Sequence, residues 1–549
     1  MMKNKEKIKK GILIYTLIIF LVFVLILPLI SLFKEAFFRN GAFIGFNNFK
    51  EYFSNPVLFK SFKNSINVSF CTSFLVVIIG FIFSYGIERC KLKGKKILNF
   101  IAMLPLFVPT MTHAISLIYL LGENGVLSTG FFGRVEGFGF KFPLYGKYGV
   151  ILGEFFYVFP AKFMMFLVAL KSCDYRLYEV ANVMSTSKIK KFFTITLPSV
   201  KYTLISAFLA SFTMVFSDFG IPKVLGGNYN LLATDVYKQV IGQSNISMGA
   251  TVGILLIIPS IISFMIDIKL SKSDIENDSK ATKYRIEKNK IRDILIGSIC
   301  YTITFIILVM IGAIFLAAFT KQWPYDLTFT LEWFNLKSTK LIYINTLFVA
   351  IMSAIIGTVI AVLISYSTQR IEEFKVLKKI LDLFSIISLA IPGLLVGLSY
   401  LLFFNGENNP LRIIYGSFVI IILANVVHFI SIPYITMKSK MKKIPSEYEA
   451  IGETIGVSWT SVFDDVIIPL SKDAIFETFS YIFLNSMMTV SAVVFLYSSK
   501  TKLASIEMIA TYDEGFLATT AAIAILILIT NIIVKYGISY FIDKKNEKN

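Results

Sequence analysis

Long apolar runs alternate with short polar connectors along the whole chain. Twelve runs stand out, at about 11–33, 66–87, 97–121, 149–170, 200–217, 249–268, 294–319, 343–366, 381–404, 414–437, 474–496 and 517–541. A bilayer core about 30 Å thick is crossed by roughly 20 apolar residues in a helix. None of the runs alternates with period two, so helices rather than a barrel must satisfy the backbone hydrogen bonds. The pattern predicts an all-α polytopic membrane protein with about twelve transmembrane helices. Two segments break it. EVANVMSTSKIKKFFTITLP at 179–198 and AIGETIGVSWTSVFDDVIIP at 450–469 are too polar to cross. Each lies between the fourth and fifth runs of a set of six. Apolar residues recur at helical spacing in both: Val180, Val183, Met184 and Ile189, then Ile451, Ile455 and Val462. A small residue, Ser185 or Gly456, lies 13 residues before Pro198 or Pro469. That spacing predicts a short helix, a turn and a second helix entering the membrane.

KLSKSDIENDSKATKYRIEKNKIRD, residues 269–293, has no apolar period and mixes both charges. It reads as a cytoplasmic linker between halves 1–268 and 294–549. The halves read as parallel repeats. The two prolines are 271 apart; Asn64 matches Asn345 at 281, and Pro109 matches Pro392 at 283. Six spans separate equivalent points, so both halves keep one orientation. A pseudo-twofold along the membrane normal and a ligand path where the halves meet are expected.

Composition agrees with a bilayer: 56% of residues are hydrophobic, 16% are charged, and mean hydropathy is +0.71. The net charge of +19 is gathered on no single soluble face, so a nucleic-acid partner is not expected. With the N-terminus inside, two-thirds of the 54 Lys and Arg fall in inside segments, which orients both termini to the cytoplasm. MMKNKEKIKK resembles a signal-peptide start, but the following run is long and no small-residue cleavage site follows, so an uncleaved anchor is expected. Cys71, Cys90, Cys173 and Cys300 form no CxxC and no disulfide framework.

The candidate chemistry is sparse. The chain has no phosphate-cradling G-x-x-x-x-G-K-[ST] and no H-E-x-x-H, so no catalytic residue, metal site or cofactor is assigned. The glycines of TGFFGRVEGFGF, 129–140, lie in an expected external loop rather than between a strand and a helix. His113 and His428 sit in separate spans and read as structural hydrogen-bonding groups. Met164, Met165, Met487 and Met488 read as gap-fillers. Glu154 and, 271 further on, Asn425 place polar groups at equivalent depth in both halves; with Asp218 at the outer end of the fifth span they are candidate translocation-path residues. Helix–helix hydrogen bonding is the plain alternative, and Lys162 can snorkel or pair locally. The loop Gly220 to Gly249 reads as an external gate, a docking loop or an ordinary connection.

The inserts rest on headgroups as interfacial helices or dock a soluble partner, one per half, which suits a twofold-symmetric partner. Here the chain resembles the binding-protein-dependent ABC importer permeases. Their signature runs Glu-Ala-Ala, three residues, Gly, then a hydrophobic-Pro about thirteen on. The first insert, 176–198, keeps Glu179, Ala181 and Pro198 and has Ser185 for glycine. The second, 447–469, keeps Gly456 and Pro469 and counts Gly452 among its coupling residues; Ala450 takes the acidic position and Glu449 falls one residue early. The resemblance implies a fused pair of permease domains in a bacterial inner or plasma membrane. It implies coupling helices for two cytoplasmic ATP-binding subunits, an extracytoplasmic solute-binding protein, and no bond cleavage by the chain itself. SDFGIPKVLGGNYNLLATDVYKQVIGQSNISMGATVG (217–253) and NSMMTVSAVVFLYSSKTKLAS (485–505) resemble permeases assigned to 2-aminoethylphosphonate uptake; fused ferric-iron and thiamine permeases share the plan. An ion-coupled secondary carrier explains the run count and the linker but not the twin inserts.

Overall fold

The computed structural model describes residues 2–39, 41–131, 135–271, 282, 284–286, 289–334, 337–406 and 409–546. They are overwhelmingly helical, as the apolar runs require. Three two-stranded antiparallel pairs, Phe38–Arg39 with Ala42–Phe43, Gly130–Phe131 with Val135–Glu136 and Thr320–Gln322 with Asp326–Phe329, are the strands among them.

Eight helices among the described residues are long and apolar enough to cross a membrane, and three bent pairs raise the number to eleven. Four of the twelve apolar runs depart from a straight helix. The run at 97–121 turns by 108° between Lys95–Phe107 and Thr110–Thr129, and the run at 381–404 by 112° between Lys375–Ala390 and Gly393–Phe404. Both breaks fall at the matched prolines. Val108 and Ile391, which precede Pro109 and Pro392, are extended, because a following proline ring excludes the helical conformation. The run at 414–437 bends by 54° between Phe418–Phe429 and Ser431–Lys442. The run at 474–496 is helical only over Lys472–Met488, 17 residues; the chain then leaves the helix at Thr489 and turns.

The chain packs as two compact units. One comprises residues 1–48, 334–513 and 526–549; the other comprises 49–333 and 514–525. The units by packing and the halves by sequence are thus different divisions, since the first span of each half packs with the other half's helices. In the first unit, helix Glu6–Phe37 lays Ile14, Leu17 and Leu21 against Val362, Ile364 and Leu381. In the second, helix Lys290–Ala318 meets helix Pro56–Arg89 so closely that a Cβ on Gly86 would lie 2.5 Å from the Cys300 sulfur. Small residues permit such approach where no hydrophobic effect drives helices together. Pro56–Arg89 also packs along Lys147–Ser172, with Phe83 edge-on to Phe159 and Phe163 and the Ser84 hydroxyl donating to the Phe163 carbonyl at 2.7 Å.

Candidate functional site

Each insert folds as its spacing predicts. Helix Tyr175–Val183 ends where Ser185 adopts φ +50°, and helix Glu447–Thr454 ends where Gly456 adopts φ +76°. Both ends close by the same pair of bonds. Thr186 N–H donates to the Ala181 carbonyl at 3.0 Å and Ser185 N–H to Asn182 at 3.0 Å. Val457 N–H donates to Gly452 at 2.8 Å and Gly456 N–H to Glu453 at 3.4 Å. This is the Schellman closure, which needs a left-handed residue after the helix. A serine then caps the next helix in both copies: Ser187 Oγ accepts from Lys190 N–H at 3.3 Å and Ser458 Oγ from Ser461 N–H at 3.2 Å. A wide turn follows, Phe192–Thr196 or Phe463–Ile467, before Leu197-Pro198 or Ile468-Pro469. Proline supplies no N–H and crowds the carbonyl four residues back; the widened turn relieves both, so Lys188–Ser217 runs on as one helix.

An arginine anchors each insert. Arg89, the last residue of helix Pro56–Arg89, is buried and donates to the Leu170 carbonyl at 2.7 Å. Its guanidinium lies 5.5 Å from the Tyr178 ring and 3.7 Å from the Tyr284 ring. Arg370, 281 residues on, donates to Glu449 at 2.6 and 2.5 Å, to the Ile444 carbonyl at 2.7 Å and to the Pro445 carbonyl at 2.9 Å. Tyr178 and Glu449 occupy matched positions, so an aromatic face in one copy does what a carboxylate does in the other. The linker contributes to the first insert: Thr282 Oγ1 donates to Asp174 at 2.8 Å and its carbonyl accepts from Tyr175 N–H at 3.2 Å. Arg176, hydrogen-bonded beside it, holds the Asp174 carboxyl well below the usual carboxylate range. Sequence reading missed both arginines; their common place at the inner end of the second run of each half was the available signal.

The signature residues separate by role. Glu179 and Ala450 face outward and are exposed, whereas Glu449 turns inward to Arg370. Ala181 and Gly452 are buried, Gly452 against the helix that follows. A Cβ on Gly452 would lie 2.6 Å from a Val462 methyl; the residue matched to Val462 is the unbranched Lys191, and there alanine fits. The outer face of each insert shows aliphatic pairs one turn apart: Val180 and Met184, 59% and 73% exposed, and Ile451 and Ile455, 57% and 69% exposed.

Away from the inserts, Glu154 and Asp218 come together in the unit spanning 49–333. Glu154 is fully buried on helix Lys147–Ser172, with Asp218 as its carboxyl neighbour. Asp218 accepts from Ile221 N–H at 2.9 Å at the end of helix Leu197–Ser217. Gly220 is pressed onto Thr110, whose hydroxyl would lie 2.1 Å from an added Cβ. Asn425, in the other unit, is fully buried with neither amide atom hydrogen-bonded among the described residues. Gly393, which follows Pro392, would place an added Cβ 2.6 Å from the Ser491 hydroxyl and close to the His428 ring. The loop between Gly220 and Gly249 holds helices Gly220–Leu225 and Leu232–Tyr237 and hangs from the start of Pro56–Arg89. Asn64 donates to the Asn230 carbonyl at 3.0 Å and Ser65 accepts from Leu232 N–H at 2.8 Å. Asn345 and Thr346 repeat this with Lys500 at 3.1 Å and Ala504 at 2.7 Å.

A family model described as the binding-protein-dependent transport system inner membrane component matches residues 76–273 and 357–548. The chain is 25% identical to a ferric transport system permease protein of Haemophilus influenzae, over 91% of this chain and 80% of that one. It is also 25% identical to the ferric transport system permease protein of Actinobacillus pleuropneumoniae, over 94% of this chain and 75% of that one. A chain in the crystal structure of a bacterial ABC transporter involved in import of the acidic polysaccharide alginate aligns with a TM-score of 0.42 and 19% identity, covering 49% of this chain and 96% of that one.

Proposed function

The chain belongs to the binding-protein-dependent transport system inner membrane components, and from that premise we propose that it forms the translocation path of an ATP-driven importer, with ATP hydrolysed by separate subunits docked on its two inserts. Its partners are a solute-binding protein, ATP-binding subunits and the bilayer. The observation that carries the docking role is the duplication. Two inserts share one closure, one serine cap and one arginine anchor, and each presents an exposed aliphatic pair. Exposed apolar surface rimmed by polar residues suits a protein partner. The arginines make the inserts levers rather than loose loops. Arg89 ties the first insert to helices Pro56–Arg89 and Lys147–Ser172 at once. A docked subunit that changes shape with ATP interacts differently with two lever positions, which is what a shift between two states requires. The test is co-purification: Val180→Asp with Ile451→Asp should strip the ATPase from a folded permease. Retention of the ATPase and of stimulated turnover would remove the docking role.

For the cargo, ferric iron is the reading we favour, because the relatives matched over nearly the whole chain are ferric permeases. A second reading, 2-aminoethylphosphonate, is favoured by the stretches 217–253 and 485–505. Binding of ferric ion, 2-aminoethylphosphonate and thiamine to the cognate solute-binding protein, followed by uptake into proteoliposomes, separates them. Uptake of the phosphonate alone would overturn the ferric reading.

A further inference from the structure

The two inserts differ in one place that none of the roles above uses. Directly after the capping serine stands Trp459 in one copy and Lys188 in the other. Trp459 stacks on Tyr366 at 5.6 Å, Phe463 meets the same ring edge-on at 4.8 Å, and Ile14 and Ile18 close the cluster. That corner is filled by protein. In the other copy Tyr85 and Phe192 are the matched rings, 6.1 Å apart, but no indole stands beside them. A cavity of about 540 Å³ opens there, bounded by the insert, helix Pro56–Arg89 and helix Lys290–Ala318. That volume lies within the roughly 300–1,000 Å³ of pockets that hold small molecules.

The lining is graded. Lys188, Lys191 and Arg292 bring positive charge to one end, and none of the described lining residues is acidic. Arg292 is held by Asp293 at 2.8 Å, and Lys191 donates to Asn182; Lys188 has no such bond among the described residues. Along Lys290–Ala318 the lining then passes from Arg292 to Leu295, Ile296 and Ile299, two turns deeper, facing Phe81 and Ile82. Leu295 is 62% exposed, so the apolar end opens toward the surroundings of the helix rather than into a core. A cationic mouth above an apolar slot matches an anionic headgroup above an acyl chain.

We propose that this cavity binds one anionic phospholipid, its phosphate at Lys188 and its chain along Leu295 to Ile299, filling the place that Trp459 fills in the other copy. The proposal rests on reading the first insert as a coupling element at the membrane surface. The lipid would then wedge one lever, and only one, against helix Lys290–Ala318.

The test needs neither transport nor ATPase, so its failure is distinct from failure of the docking role. The full-length permease in detergent is titrated with phosphatidylglycerol and with phosphatidylcholine of the same chains and read by native mass spectrometry. The first phosphatidylglycerol should bind about tenfold more tightly, because the cations at the mouth attract an anionic headgroup and screening trims that attraction. Lys188→Trp should abolish that preference while unfolding at or above the wild-type temperature. Lys188→Gln, which leaves the cavity open, should weaken it, and Lys60→Gln, an exposed control, should not. Equal affinity for the two lipids, full selectivity in Lys188→Trp, or complete displacement by inorganic phosphate each overturns the proposal.

Discussion

Glu449 accepts two hydrogen bonds from Arg370, whose remaining donors reach backbone carbonyls. Glu449→Gln keeps the shape and removes the charge, so it should destabilise the fold by roughly 1.5–3 kcal/mol, the range for bonds to charged groups. Glu179→Gln, on the exposed face, should stay within about 0.5 kcal/mol. Denaturant unfolding of the two variants side by side checks this; equal losses would mean that the inward turn of Glu449 has no energetic weight. Asp235 supplies a second residue-scale expectation. It lies on the short helix Leu232–Tyr237 between spans, and burial pushes its carboxyl up from 3.8 to about 6, against the pull of Ser61 and Lys238. Between about pH 4 and 6 the folded chain keeps a proton that the unfolded chain has released. Stability therefore falls as pH rises through that window and stays reduced above it. Asp235→Asn should lose this slope and be more stable than wild type at pH 7 by roughly 1–3 kcal/mol. Parallel pH profiles of wild type and variant would refute the assignment.

At the scale of the element, the two Schellman turns make a matched experiment. Gly456 has open space where a Cβ would go, so Gly456→Ala tests backbone conformation alone and should cost about 1 kcal/mol. Ser185→Gly, at the same turn in the other copy, should gain a similar amount. Gly452→Ala is different in kind: it forces the Val462 methyl away, and Val462→Ala should restore most of what it loses. Thermal unfolding of these variants and the double mutant decides; no recovery in the double mutant would show that the contact is not the cause. These turns were legible in the sequence because Ser185 and Gly456 keep a fixed distance to a proline, and a turn is a local event. The equivalence of Asn64 with Asn345 was legible too, and the fold realises it as one repeated hydrogen bond. The bends at Pro109 and Pro392 were not, because a hydropathy window adds up apolar residues without asking whether they lie on one axis. Nor was the inward direction of Glu449, one residue off the family's acidic position, since a shift of one residue on a helix turns a side chain by about 100°.

At the scale of the whole molecule, the proposed importer depends on both inserts as well as on its spans. Reconstituted with binding protein and ATPase, the permease should take up cargo only with ATP. Val180→Asp alone should slow uptake at least severalfold, because one lever cannot stand in for two. Normal uptake with both inserts disabled would end the proposal. The packing of helix Glu6–Phe37 against residues from the far end of the chain has a different consequence, for biosynthesis. At about 5–20 residues per second, the roughly 325 residues between Phe37 and Val362 mean that the helix spends roughly 15–65 s in the lipid without these contacts. Its backbone bonds are satisfied internally, so it can wait there. Until the ribosome reaches Val362 and Tyr366, the newborn helix lacks these packing partners, and a truncated message leaves its apolar face uncovered for membrane proteases to find.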